Sequence, residues 1–375
     1  MDPTYLPPTD TPEPSDELAR TDTAPAGRAP ERTRPKRRLL AIVAAVVAGL
    51  VVVAAVGAAF VRLPYVLISP GSASRVDDAV EIEGARTYEH DGSVLFVTVS
   101  VSDQRPNAYV VLGGWLDGDV DVLPEEDVFG DNSRKEEEQF NQLAMTESQI
   151  VATKVSLEKL GYTVPVSSYV VGDIEAGSPA ADQLEIDDTI TAVDGVPVSM
   201  VPDLGEAVRT RAPGEPVTLA LTRGDESMTV TVATRATPDG PNEGAAQIGI
   251  FSAPEYDFPI EVEIDTGDVG GPSAGLAFTL TILDELSPGD LTGGKEIAVT
   301  GTIGSDGTVG AIGGVAQKAV AARRAGARLF IVPKAEAAEA RSHADGMKVA
   351  AVSDLDDALA ALERNGGEPL EEAAA

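Results

Sequence analysis

The residues with the clearest chemical potential are a serine and a lysine 45 positions apart, Ser273 and Lys318. Ser273 stands in GDVGGPSAGL, residues 267–276, directly before the apolar run LAFTLTIL. Two readings of that stretch share one geometry. In the first, Gly270 and Gly271 turn the chain and Pro272 fixes φ. Ser273 then caps a helix carrying Leu276, Phe278, Leu280, Ile282 and Leu283. In the second, Ser273 is a nucleophile. Glycines let the backbone approach a substrate carbonyl, and free N–H groups at a helix start can hold an oxyanion. A serine hydroxyl is weak at neutral pH and needs a base.

Cysteine is absent and there are two histidines, His90 and His343. They are far apart in sequence, and each reads as a surface residue rather than a ligand or a base. A lysine can serve instead if an apolar, water-poor setting keeps its amine neutral. In IGGVAQKAVAARRAG, Lys318 has Gly314, Val315, Ala321 and Ala322 at helical spacing. It therefore emerges from a face that packs. It also lies near the helix start, where the dipole disfavours a cation. Arg323 and Arg324 suit the other end, before Gly326.

Two further motifs mimic known chemistry. GDLTGGKE, residues 289–296, has phosphate-loop spacing, but Glu296 stands where a magnesium-binding Ser or Thr belongs. The stretch also follows a helix and precedes a strand, the reverse of the required order, so it reads as a turn. IDTG, residues 264–267, matches one half of an aspartic-protease pair. That chemistry needs two carboxylates sharing a proton, and no second such triplet exists here.

The elements that must position Ser273 and Lys318 come from a chain of 375 residues with net charge −33. Such a surface repels nucleic acid, which is set aside as a partner. The missing thiols exclude disulfide scaffolds, thiol catalysis and zinc–thiolate sites. No metal or cofactor is expected. Residues 1–38 are rich in Pro, Thr, Ala and charge and read as a disordered tail ending in ERTRPKRR. Residues 39–61, LLAIVAAVVAGLVVVAAVGAAFV, are uncharged and long enough to span a bilayer. The run is too long for a signal peptide, and the basic cluster before it places the tail in the cytoplasm and the bulk of the chain outside.

Residues 62–164 read as a β-rich block followed by a helix closing on Gly161, with no evident chemistry. Residues 165–236 form a compact unit of strands and one short helix. Residues 237–246 read as a linker. Residues 247–364 alternate strands (QIGIF first) with helices, as an α/β domain does. Residues 365–375 read as a frayed tail. The fold class expected is α+β multidomain.

AGSPAADQLEIDDTITAVDGVPV resembles the bacterial form of the PDZ domain. The resemblance implies a groove that takes an extended peptide as an added strand. Its carboxylate loop is expected near Val166 to Tyr169, where no Gly-Leu-Gly-Phe-type sequence stands. The last block resembles the proteolytic domain of Lon proteases, which use a Ser–Lys dyad. The resemblance rests on Gly271-Pro272-Ser273-Ala274-Gly275, Thr300-Gly301, Gly310-Ala311-Ile312-Gly313-Gly314, Lys318, Ala325-Gly326 and Ile331-Val332-Pro333. It implies Ser273 as nucleophile, Lys318 as general base and Thr300 as the hydroxyl that orients the lysine, with Gly271 and Pro272 in support. The acidic residue usual shortly before Gly-Pro-Ser is replaced by Val269-Gly270, with Asp268 further back.

The layout is similar to the membrane-anchored PDZ–Lon-like proteins of bacteria. It implies a serine endopeptidase acting on unfolded or peptide segments without ATP, anchored through residues 39–61, with a homo-oligomer in prospect. The alternatives are a membrane-tethered PDZ scaffold that no longer cuts, and a protein that cleaves only itself. Labelling of Ser273 by a fluorophosphonate distinguishes the scaffold from the enzyme.

Overall fold

The computed structural model describes residues 35–371, apart from Asp131 and Pro202. Residues 1–34 of the expected tail lie outside the described residues, and Arg32 and Arg34 with them. The chain divides after Ala58 into two compact units.

The first unit carries α1 (Pro35–Ala58). It begins before the expected residue 39, because Pro35 has its φ preset for a first turn and the basic residues after it are good helix formers. Arg38–Ala58 has a mean hydropathy of 3.1 and is long and apolar enough to cross a membrane.

The second unit opens with β1 (Tyr65–Arg75), β2 (Val80–Glu83), β3 (Ser93–Val101), α2 (Ala108–Leu116), β4 (Asp121–Pro124), α3 (Glu125–Phe129) and α4 (Arg134–Lys159). Next come β5 (Val166–Ile174), β6 (Thr189–Val193), β7 (Val196–Pro197), α5 (Leu204–Arg209), β8 (Pro216–Arg223), β9 (Glu226–Ala233), β10 (Arg235–Ala236), β11 (Ala246–Gln247) and β12 (Ile250–Tyr256). The remainder is β13 (Glu261–Ile264), α6 (Gly275–Leu286), β14 (Glu296–Val299), β15 (Thr302–Ile303), β16 (Val309–Gly310), α7 (Val315–Arg324), β17 (Leu329–Pro333), α8 (Ala337–His343), β18 (Lys348–Val352) and α9 (Leu355–Arg364).

One six-stranded sheet runs in the order β18-β17-β14-β3-β1-β4. The first four strands are parallel, and β1 and β4 join antiparallel. This corrects the expected division at residue 164: the β-rich block supplies half of the sheet that the last block completes. The physical reason lies in β14 and β17, which are buried on both faces and need hydrogen-bonded neighbours along their edges. SVLFVTVSV provides one, because its side chains alternate. Val94 and Phe96 pack with Phe278, Leu280 and Leu283 of α6 and Met145 and Val155 of α4. Leu95 and Val97 pack on the other face with Val315, Ala319 and Ala322 of α7.

A second sheet, β12-β5-β6-β8-β9, has its own core around Tyr169, Ile190, Leu219 and Leu221. QIGIF, expected to open the last block, runs into β12, which pairs antiparallel with β5. Residues 166–256 are thus an insertion between α4 and β13, both of which belong with the first sheet's core. Residues 365–371 also depart from the expected frayed tail, whose last four residues, 372–375, lie outside the described residues. The Gly367 N–H donates to the Leu362 carbonyl, Glu368 N–H to Asp290, and Leu370 packs against the main core.

α4 is fixed at its start by a capping box between Ser133 and Glu136. It ends as expected, with Gly161 at φ +92°.

Candidate active site

Ser273 sits in a single 3-10 turn, Pro272–Ala274, that runs straight into α6. Neither the turn nor α6 has a side-chain cap. The reading of Ser273 as a helix cap is therefore overturned: its hydroxyl points elsewhere. Gly271 makes the turn possible, with φ at +94°, where a side chain is strained. Its N–H donates to the carbonyl of Asn141 at 2.7 Å. The Ser273 carbonyl is held by the Gly301 N–H at 2.9 Å and the Thr300 hydroxyl at 3.2 Å.

Lys318 enters from the opposite face of the sheet, one turn into α7. α7 starts at Gly314, whose φ is +66° and whose place leaves no room for a Cβ, which would stand 2.6 Å from Val99 Cγ1. Lys318 Nζ lies 2.7 Å from Ser273 Oγ and 3.1 Å from Thr300 Oγ1. The structure thus brings Ser273, Thr300 and Lys318 together. Lys318 is 3% exposed and Thr300 is fully buried. Burial pushes the Lys318 ammonium down to about 8, since the charged form loses its water.

The place where these residues meet is set by the sheet. β14 pairs with β3 only as far as Val299 opposite Phe96. Beyond that point the chain leaves the strand at Thr300, and Val97, Thr98 and Val99 of β3 border a cleft of about 260 Å³. Met145, Val269 and Ala274 make the rest of its wall apolar, while Ser273 and Lys318 open onto it. Asp268 lies on the rim as well.

Residues of α4, assigned no chemistry in the sequence, hold the Ser273 loop. Besides the Asn141 carbonyl, Gln142 Nε2 donates to the Asp268 carbonyl at 3.2 Å. Ser148 Oγ donates to the Pro272 carbonyl at 3.0 Å, and Gln149 Nε2 to the Ile264 carbonyl at 3.1 Å. One signal was present. Asn141, Met145, Ser148 and Ala152 fall at i, i+4, i+7 and i+11, so a buried helix stripe carries polar groups that need partners.

The other motifs take structural roles. Asp265 accepts the Gly267 N–H in a tight turn. Asp290 accepts the N–H groups of Thr292, Gly293 and Gly294, the amides a phosphate would need, and Lys295 Nζ donates to the Asn365 carbonyl. His90 Nε2 faces the carbonyls of Asp284 and Ser287, and His343 Nδ1 that of Glu339. Both rings are half-buried rather than exposed.

Comparison with known proteins finds two domain types whose bounds do not follow the two sheets: the first match takes in β12 and the second takes in part of α4. Residues 243–363 match the Lon protease (S16) C-terminal proteolytic domain. That stretch is thus similar to a Lon-type proteolytic domain. Residues 142–234 match the PDZ domain. A Lon protease of Roseiflexus castenholzii is 39% identical over 84 residues, 22% of this chain and 10% of that protein. One from Ureaplasma parvum is 41% identical over 76 residues, 20% of this chain and 9% of that protein. The chain thus spans about a tenth of the length of these relatives. A solved PDZ domain of an SdrC-like protein from Listeria monocytogenes is 24% identical, covering 24% of this chain and 93% of its own, with a TM-score of 0.22.

The groove beside the second sheet is not where the sequence suggested. Val166 to Tyr169 lie in β5, paired with β12. The cavity, about 320 Å³, lies between Leu204, Val208 and Arg209 of α5 and the segment Ala246–Ser252. β12 is the edge strand there. Within that segment Gly249 turns the chain at φ +80° between Ile248, buried in the second core, and β12.

Proposed function

We propose that this Lon-like protein is a membrane-anchored serine endopeptidase in which Ser273 is the nucleophile and Lys318 its base. The observation that carries the reading is the 2.7 Å approach of a buried, pKa-lowered amine to the serine hydroxyl. The neutral amine takes the Ser273 proton as Oγ attacks a peptide carbonyl. Thr300 orients the amine through its hydroxyl. The Gly271, Gly275 and Leu276 N–H groups are committed to Asn141, Pro272 and Gly301. The oxyanion donors therefore fall to the amides between them, Ser273 and Ala274. The ammonium then returns its proton to the leaving amine, and water releases the acyl group.

The substrate is an unfolded or peptide segment, which adds along the open edge of β3 at Val97–Val99. The groove at β12 selects or delivers it. The reaction runs without ATP, since Asp290 fills the one loop with nucleotide-like spacing. α1 anchors the chain with its N-terminus in the cytoplasm and the catalytic unit outside, and assembly into a homo-oligomer fits the family. The test compares wild type, Ser273→Ala and Lys318→Ala on an unfolded protein, with and without ATP. Cleavage by wild type alone, indifferent to ATP, is expected. Equal cleavage by Ser273→Ala refutes the mechanism.

A further inference from the structure

α2 reads AYVVLGGWL and contains no charged or strongly hydrogen-bonding side chain apart from its tyrosine hydroxyl and indole N–H. A helix apolar all round belongs in a core or a bilayer. Here only Val111 and Gly114 are buried, against β1 and β4, where a Cβ on Gly114 would stand 2.7 Å from Val122. The rest faces out: Leu112 is 52% exposed, Trp115 60% and Leu116 81%. Together with Val110 they leave α2 largely apolar and uncovered, and neighbouring exposed apolar side chains of this kind mark an interaction surface.

The position of the patch indicates its partner. Asn107, the N-cap of α2, pairs with Arg62, and the Leu63 N–H donates to the Pro106 carbonyl at 2.9 Å. Arg62 is four residues past Ala58, the end of the candidate span, so the chain between them reaches at most about 14 Å. Phe60 and Val61, within that stretch, are themselves exposed. Trp115 stands edge-on against Tyr65 at 5.9 Å. Tryptophan and tyrosine near the end of an apolar span are the residues that occupy a membrane–water interface. Arg62 and Arg105 flank one end of α2, and Asp117, Asp119 and Asp121 follow the other, so charge gives no net pull to anionic lipid.

We propose that α2 lies in the bilayer interface with Trp115 at the level of the headgroups. The contact is apolar, is made with zwitterionic lipid as well as any other, and keeps the catalytic unit from swinging on the short Ala59–Leu63 connection. It rests on the reading of α1 as a membrane span.

Trp115 is the chain's single tryptophan, so its emission reports this surface alone. The full chain is reconstituted in phosphatidylcholine vesicles with and without bromine on the upper acyl chain. Emission should fall by roughly half or more in the brominated bilayer, where interfacial indoles sit, and aqueous iodide should quench little. Leu116→Asp, which puts a charge into the contact, should restore emission toward the unbrominated level. Strong iodide quenching without bromine quenching overturns the proposal. So does shielding from both quenchers, which would mean that protein, such as a second copy, covers the helix. Flotation separates the two readings: a chain that does not float with the vesicles refutes the anchor, and one that floats with Trp115 unquenched by bromine refutes the α2 contact alone.

Discussion

Replacing Lys318 with methionine keeps most of the side-chain volume and removes the amine. Because Lys318 is buried, its pKa falls from 10.5 to about 8. The unfolded chain holds this proton up to about pH 10.5 and the native chain only up to about 8. Between those values the unfolded state binds more protons, so wild-type stability rises with pH. The penalty is fully present below pH 8 and is relieved as pH climbs toward 10.5. At 1.36 kcal/mol per pKa unit it amounts to about 3 kcal/mol. Methionine removes it but leaves the Thr300 and Ser273 hydroxyls one partner short, a loss of about 1 kcal/mol. At pH 7 Lys318→Met should therefore be more stable than wild type by about 2 kcal/mol, while cleaving nothing. By pH 10.5 the advantage should be gone and the variant should be less stable than wild type by about 1 kcal/mol, the lost hydrogen bond alone. Urea unfolding of residues 59–375, wild type and variant, at several pH values measures the difference. Other titrating groups are common to both and cancel. A difference that does not change with pH means that burial does not lower the pKa of the amine, and Ser273 then lacks the proton acceptor assigned to it.

The same amine sets the reaction's pH dependence: kcat/KM should rise about tenfold per pH unit below 8 and level off above, and a break near 6 would point to another base. Thr300→Val, which removes the hydroxyl between Lys318 and the Ser273 carbonyl, should lower kcat about ten- to a hundredfold with KM nearly unchanged, and Thr300→Ser should restore it. Phe251 is 68% exposed beside the β12 groove. Phe251→Ala should weaken peptide binding there by about tenfold, read by fluorescence anisotropy, and leave cleavage of a short peptide unchanged.

The residues that meet at the site were legible because their signals are local. Gly271 and Gly314 mark backbone conformations that a side chain would strain, and each stands within four residues of the side chain it positions. The small residues around Lys318 point to its burial, and Lys318 is 3% exposed. What Ser273 would do with its hydroxyl was not legible from its own stretch. A cap and a nucleophile call for the same glycines and proline, and only the position of Lys318 Nζ separates them.

The strand partners were not legible for a different reason. β3 and β14 are separated by almost two hundred residues, and a run such as SVLFVTVSV shows that it is a strand without showing which strand it joins. An insertion hides the pairing further, because contiguous sequence then stands for separate structure. α4 ends where the inserted sheet begins, and β12 returns the chain to β13 and the Ser273 loop. Both connections to the insertion thus lead to the loop that carries Ser273: α4 through the Asn141 carbonyl and Ser148 Oγ, and β13 through direct continuity. The polar stripe on α4 and the Ile248-Gly249-Ile250-Phe251 segment were visible as residues. They lacked meaning only because each was assigned to a neighbour in sequence instead of its neighbour in space.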